Sequence, residues 1–422
     1  MPIRQKRRKT AGAAIVSLAL TIMTAGAIAH GQDQPFPPEA PVPLKDVFDV
    51  LRQLRHKPPK DDAATAMMPG KLMTAFTPYI AANSSNGFMI GGAGNVAFFL
   101  GDPKTTRLSS AVASLSLTSK GQLLLSAKLA SYSRDNTWYL SGDNRFNLTS
   151  QDTYGLGTNT DPSAQVNTKY NFLRIYESVY RRVFSGFYAG GGFLFSGYAN
   201  IRPAPASEAV WPDSPFVVYS EQYGFDPESQ FSAGAAASFF YDNRDSSIDP
   251  SRGWYASADY RFFFKGFLGG ASEYQEAQYD LRTYFGLSRN SRHKLALWLY
   301  GDFIINGIAP YYGLPATGMD TYGRTGRGYL QGRYRGEEML YGEIEYRWTI
   351  ARNGLYGLVV FLNTETLSNK QAGEKLFDAL ATGAGVGFRL RINKHSKTNL
   401  CLDFGVGKSG SAGFYIGVQE AF

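Results

Sequence analysis

Sixteen stretches of this chain alternate between apolar residues and small, polar or charged ones, and this period of two constrains the fold more than any other feature. Leu400, Leu402, Phe404 and Val406 interleave with Cys401, Asp403, Gly405 and Gly407. Ala384, Val386, Phe388, Leu390 and Ile392 interleave with Gly383, Gly385, Gly387, Arg389 and Arg391. Leu340, Ile344, Tyr346 and Trp348 interleave with Tyr341, Glu343, Glu345 and Arg347, and Leu295, Leu297 and Leu299 with Lys294, Ala296 and Trp298. A period of two is that of a strand with unlike faces. A soluble sandwich also alternates, with its apolar face inward. Here the second face carries charges and glycines, which suits a transmembrane barrel with lipid outside and a polar lumen within. Hydrocarbon demands that every backbone N–H and C=O be paired, and closing the sheet achieves this.

The stretches run over residues 71–80, 87–100, 106–118, 121–133, 136–147, 169–181, 186–198, 230–243, 252–266, 272–288, 294–306, 337–349, 354–364, 381–392, 398–407 and 412–422. They predict an all-β fold, a 16-stranded antiparallel transmembrane β-barrel. Their lengths meet the roughly 9–11 residues a tilted strand needs to span. The connections after even-numbered strands are short (101–105, 134–135, 289–293, 352–353), and several after odd-numbered strands are long (148–168, 199–229, 307–336, 365–380). Short turns at one end and long loops at the other are characteristic of such barrels. An even strand count puts both ends of the chain on the short-turn, periplasmic side. The last strand ends on Phe422 after Phe414, Ile416 and Val418, with Glu420 interrupting the alternation.

The N-terminus supports export to the outer membrane. A positive head (Arg4, Lys6, Arg7, Arg8, Lys9) precedes an apolar run ending in Ala27-Ile28-Ala29, the pattern of a signal peptide over residues 1–29. Residues 30–70 form a Pro-rich periplasmic leader. Within it Leu44, Val47, Phe48, Leu51 and Leu54 share one face of a short helix over about 44–56, which could dock in the barrel mouth or on a partner. A leader this short is not expected to fold as an independent domain. The formal charge of +8 falls to about +3 without the five signal-peptide cations, so no nucleic-acid partner is implied. Cys401 is the single cysteine, which excludes a disulfide framework and any Cys-based metal site. The four histidines are far apart, and His293 and His395 fall in predicted turns. No nucleophile–base–orienter set, phosphate loop or metal spacing is visible, so neither enzymatic activity nor a cofactor is expected. Asp242, Asp245 and Asp249 fail the spacing of a calcium loop.

Three motifs carry a family resemblance. The turn Tyr241–Tyr255 contains Asp242, Arg244, Asp245, Pro250 and Gly253. It resembles the Asp-x-Arg-Asp-(x)-Pro-x-x-Gly signature of the bacterial surface antigen superfamily, the outer-membrane assembly-factor barrels of BamA/TamA type. Gly326-Arg327-Gly328-Tyr329 is similar to that family's Val-Arg-Gly-(Phe/Tyr) motif in the sixth extracellular loop. Gly326 stands where Val is usual, a departure expected to loosen the loop's apolar anchor. Leu402-Asp403-Phe404-Gly405 is similar to the family's Asp-x-Gly strand motif. The resemblance covers roughly residues 71–422. It implies that the sixth loop folds inward and that Arg327 reaches carboxylates on lumen-facing strands, with Asp403 first and Glu343 and Glu345 as alternatives. Without the family motif, the loop Gly323–Gly336, with four arginines and no carboxylate, would be read as a solvated basic loop. Arg333 and Arg335 are read as solvated rim residues.

The resemblance is to superfamily members without the tandem periplasmic POTRA domains. The first functional expectation is outer-membrane protein or lipid assembly or translocation through a weak seam between the first and last strands. Pro78, Gly413, Gly417 and Phe422 mark that seam. A plugged pore for small solutes is the second. The third is a structural barrel whose loop 199–229, with Trp211 and five prolines, binds a surface partner. The partners implied are outer-membrane lipid and periplasmic or outer-membrane proteins.

Overall fold

A computed structural model describes residues 42–56 and 72–422 except Arg289 and His395. The expected signal peptide and most of the leader lie outside the described residues. The strands are β1 (Met73–Asn83), β2 (Gly87–Phe98), β3 (Ser109–Thr118), β4 (Leu123–Tyr132), β5 (Trp138–Thr153), β6 (Val166–Phe184), β7 (Phe187–Pro203), β8 (Ser229–Asp242), β9 (Gly253–Phe263), β10 (Tyr274–Gly286), β11 (His293–Gly307), β12 (Glu338–Trp348), β13 (Tyr356–Leu367), β14 (Ala381–Asn393), β15 (Thr398–Val406) and β16 (Ala412–Val418). Each pairs antiparallel with its sequence neighbours, and β1 meets β16 to close the barrel. Among the described residues no helix is long and apolar enough to cross a membrane. The strands do the crossing.

The alternation sorts the faces as the chemistry requires. Leu358, Val360 and Leu362 on β13 are exposed outward, while Val359 and Phe361 are buried in the lumen. Outward exposure of large apolar residues continues around the wall, from Phe76 and Ile80 to Phe404 and Val406. In water this belt would be untenable; in a bilayer it is the stabilising surface.

Two differences from the sequence reading have physical causes. The loops expected at 148–168 and 199–229 are shorter, because β5, β6 and β7 extend well beyond the apolar belt. Polar residues such as Thr153 and Thr168 are buried there against the sixth loop, with Thr153 Oγ1 2.5 Å from Tyr311 Oη. The other difference is at the C-terminus, where the last strand stops at Val418 rather than Phe422. Gln419 adopts φ 75°, and the tail turns into the lumen. Continued as a strand, Glu420 would follow Phe414, Ile416 and Val418 onto the lipid face, where a carboxylate is unfavourable.

The lumen is filled. The connection 204–228 holds helix α2 (Pro215–Tyr223), with Phe216, Val217 and Tyr219 buried in a cluster that includes Tyr311 and Tyr312 of the sixth loop. Trp211 stacks on Phe216 at 5.4 Å, so this loop spends its aromatic residues internally. At the other end the β8–β9 turn reaches across the barrel. Asp249 pairs with Lys294 of β11 at 2.7 Å and Arg391 of β14 at 3.1 Å. Helix α1 (Val47–Leu54) sits at the short-turn rim and buries none of its residues.

Candidate functional site

The sixth loop, residues 308–337, enters the lumen and carries Arg327 to its wall. Local turns shape it: Asp320 Oδ1 accepts from the N–H groups of Arg324 and Thr325, both at 2.8 Å. Its tip crosses the barrel. The Thr321 carbonyl accepts from Lys128 Nζ of β4 at 3.0 Å and Arg145 Nη2 of β5 at 2.5 Å. On the far side Gly328 N donates to Tyr415 Oη at 3.1 Å, and Tyr415 Oη donates to the Tyr329 carbonyl at 3.0 Å.

Arg327 is 2% exposed. Its Nη1 donates to Asp403 Oδ2 at 2.9 Å, and its Nη2 contacts both Glu343 and Glu345. The guanidinium lies 3.8 Å from the centroid of the Phe361 ring. All three carboxylates considered for Arg327 are therefore brought to it at once. Inward glycines make the space. A Cβ at Gly383 would stand 2.7 Å from the Arg327 carbonyl, and one at Gly405 would stand 3.0 Å from Gly328 N.

The network is wider than the loop motif. Asp403 also meets Arg389, whose Nε donates to Glu420 at 2.7 Å. Glu345 also accepts from Arg347 Nε at 2.6 Å, and Arg347 Nη2 donates to the Phe422 carbonyl at 2.9 Å. Arg327, Arg347 and Arg389 thus face Glu343, Glu345, Asp403 and Glu420. Buried charges persist only when paired in this way. Sequence reasoning noted Glu420 and Arg347 but assigned neither to the site. Their signal was a charge breaking the last strand's alternation and an arginine on the lumen face of β12.

Arg333 and Arg335 are not rim residues. Arg335 is fully buried, donating to the Tyr311 and Leu314 carbonyls at 3.1 Å, with its guanidinium against Tyr311 and Tyr312. Arg333 donates to Thr160 and lies over Tyr154 and Tyr334. Carbonyls and rings of the sixth loop itself, with Thr160 and Tyr154 of the β5–β6 loop, take the role of carboxylates, and such partners carry no signal in the local pattern.

Gly326 does not loosen the loop. It adopts φ 75°, and a Cβ there would stand 2.3 Å from Thr317 Cγ2 and 3.2 Å from Glu365 Oε1. Gly326→Val is therefore expected to destabilise, by at least about 1–2 kcal/mol from the backbone conformation alone. The temperature at which the folded barrel loses its fast gel mobility measures this. An unchanged or higher temperature would contradict the assignment.

The turn motif is structural. Asp242 chelates Arg244 at 2.9 and 3.1 Å, and Asp245 Oδ1 accepts from Ser251 N at 2.8 Å. Pro250 is buried, and Gly253 adopts φ 103° with its Cβ position 2.7 Å from the Asn243 carbonyl. Among the described residues no cluster of His, Cys, Asp or Glu could hold a metal ion.

The seam is sparsely paired. Among the described residues β1 pairs with β16 only at Ala82↔Ile416 and Asn83↔Tyr415, against eleven positions with β2. Pro78 lies mid-strand, opposite Gly92 of β2 and outside the stretch paired with β16. Proline is tolerated on such an edge. Gly413 and Gly417 face the lumen, where their missing side chains accommodate Tyr415 and Arg324. Phe422 does not line the seam. It is 5% exposed and packs on Trp298, with ring centroids 5.2 Å apart. The two-residue junction sits at the long-loop end, where Ser85 Oγ accepts from Gln331 N of the sixth loop at 2.7 Å.

A closed 16-stranded barrel with an arginine-bearing loop held inside it defines a class of outer-membrane protein. Residues 217–422, just under half of the chain, match the Omp85 superfamily domain. Among solved structures it is similar to BamA from Haemophilus ducreyi lacking POTRA domains 1–3 (13% identity, TM-score 0.53, 83% of this chain and 70% of that one). It is also similar to CdiB from Acinetobacter baumannii (14%, 0.52, 83% and 60%) and CdiB from Escherichia coli (8%, 0.53, 84% and 63%). The chain thus spans less than two thirds of either CdiB. At these identities the likeness is one of fold. No curated protein sequence matches the chain.

Proposed function

We propose that the protein is a non-enzymatic barrel that assists the assembly or translocation of outer-membrane proteins through the β1–β16 seam, with its short-turn end and C-terminus in the periplasm. The observation that carries this reading is the open edge of β1. Among the described residues β1 has no β16 partner below Ala82: Gly417 and Val418 are not paired with it, and the tail that would follow them along the edge is turned into the lumen. Unpaired backbone groups at membrane depth are costly, several kcal/mol each, and invite another strand. Lipid tails offer no hydrogen bonds, so the favoured client is an extended polypeptide that adds to the edge. Lipid transfer is the less favoured reading. A small-solute pore receives less support, since the sixth loop and the β8–β9 turn occupy the lumen from both ends.

The register extends naturally to Ile80 opposite Val418. A disulfide between Ile80→Cys and Val418→Cys locks the seam two residues below its present junction. Cys401 is buried and does not compete. With the protein in liposomes, folding of an added unfolded outer-membrane barrel protein is expected to fall to the protein-free rate when the bond is formed and to recover on reduction. Unimpaired folding with the bond intact would remove the seam from the mechanism.

A further inference from the structure

Helix α1 is attached to the barrel by its polar face, the reverse of how an amphipathic helix docks on a protein core. Asp46 and Asp49 form its capping box, with Asp49 N donating to Asp46 Oδ1 at 3.0 Å. The same two carboxylates hold the β14–β15 turn: Lys394 N donates to Asp46 Oδ2 at 3.1 Å, and Lys394 Nζ lies 3.1 Å from Asp49 Oδ2. Lys45 N donates to the Asn353 carbonyl of the β12–β13 turn at 2.9 Å. On the opposite side of the helix Phe48, Leu51 and Leu54 are 58%, 42% and 71% exposed. A helix placed against protein buries that face; here it is presented outward.

We infer that the phospholipid leaflet at the short-turn rim covers this face, so that α1 lies in the membrane interface and does not enter the lumen. Continuity with the lipid-facing wall favours lipid. The strands joined by the two anchoring turns carry outward aromatic residues at the same end, Tyr346, Trp348 and Tyr356, each more than a third exposed. Such a girdle marks headgroup level. The charges agree: the acidic residues of α1 are spent on the barrel, while its remaining charged groups, Lys45, Arg52 and Arg55, are cationic and suit anionic headgroups. The helix would sit at the rim beside β13 and β14, with only β15 between β14 and the seam strand β16.

Nitroxide labels at Leu51→Cys and Gln53→Cys test this in the full chain, reconstituted in phosphatidylethanolamine–phosphatidylglycerol vesicles with a nickel chelate on both sides. Residue 51 is expected to show a several-fold higher ratio of oxygen to nickel accessibility than residue 53. Equal, high nickel accessibility at both would mean that the face is solvated. Low accessibility of residue 51 to both reagents would mean that protein covers it, in the lumen or from a partner. Either result overturns the inference. The readout is independent of client folding, so it stands or falls apart from the seam reading.

Discussion

Arg327→Ala is expected to destabilise the folded barrel by about 3–5 kcal/mol, the usual loss when one member of a buried ion cluster is removed. Glu343, Glu345 and Asp403 would then be left facing one another, with Arg347 and Arg389 as their remaining counterions. The sixth loop would also lose the ion pairs that tie Arg327 to β12 and β15. Asp403→Ala is expected to cost less. Arg327 keeps Glu343 and Glu345, and Arg389 keeps Glu420. The double variant should be less destabilised than the sum of the singles, by about 0.5–3 kcal/mol, as for residues in direct contact. Heat-dependent gel mobility of the four proteins gives the comparison. Additive losses would mean that Arg327 and Asp403 are not coupled. Arg327→Lys should rescue only in part, because a single ammonium cannot reproduce the planar fork that reaches three carboxylates.

Phe422→Ala should release the C-terminal tail, with a loss of about 3–5 kcal/mol for a buried phenyl group. The ring sits against Trp298 and Tyr284, with the Arg347 guanidinium 5.1 Å from its centroid. Carboxypeptidase should leave the native tail intact and digest the variant rapidly. Resistance in the variant would mean that the tail is held by other contacts. Glu420 adds a pH test. Burial alone would raise its carboxyl pKa, but Arg389 and then Arg347 outweigh burial and hold it below the usual value. A depressed folded pKa means that Glu420 contributes stability above its unfolded value, near 4.3, and loses it as pH falls through the lower folded value. Tail protection should therefore persist from neutral into mildly acidic solution and fail only in stronger acid. Glu420→Gln should remove that dependence. Release of the native tail in mildly acidic solution would contradict the assignment.

These predictions separate what was legible along the chain from what was not. The wall was legible: period-two alternation follows directly from a sheet with lipid on one face and polar lumen on the other, so strand number, facing and connection pattern could be read locally. The inward face of Asp403 was legible for the same reason, whereas the inward reach of Arg327 was implied only by the family resemblance of its motif. The length of β6 was not, because Val166–Phe172 lies above the apolar belt and its burial is set by Tyr311 and Tyr312 from a distant loop. Arg335 was misread because its partners are carbonyls and rings, which carry no sequence signal. The C-terminal strand was misread because an aromatic terminus fits a membrane interface as well as it fits a lumen pocket. The interrupting charge at Glu420 decides between them only once Arg389 and Arg347 are placed beside it.

By itself the sequence determined the barrel, because the side-chain period is a local property that needs no knowledge of distant contacts. Only the tertiary structure decided how the lumen is filled, which carboxylates share Arg327, and how little of β1 is paired with β16. Those features arise where strands far apart in sequence face one another across the barrel, and their energies come from pairing buried charges whose partners the local pattern does not name.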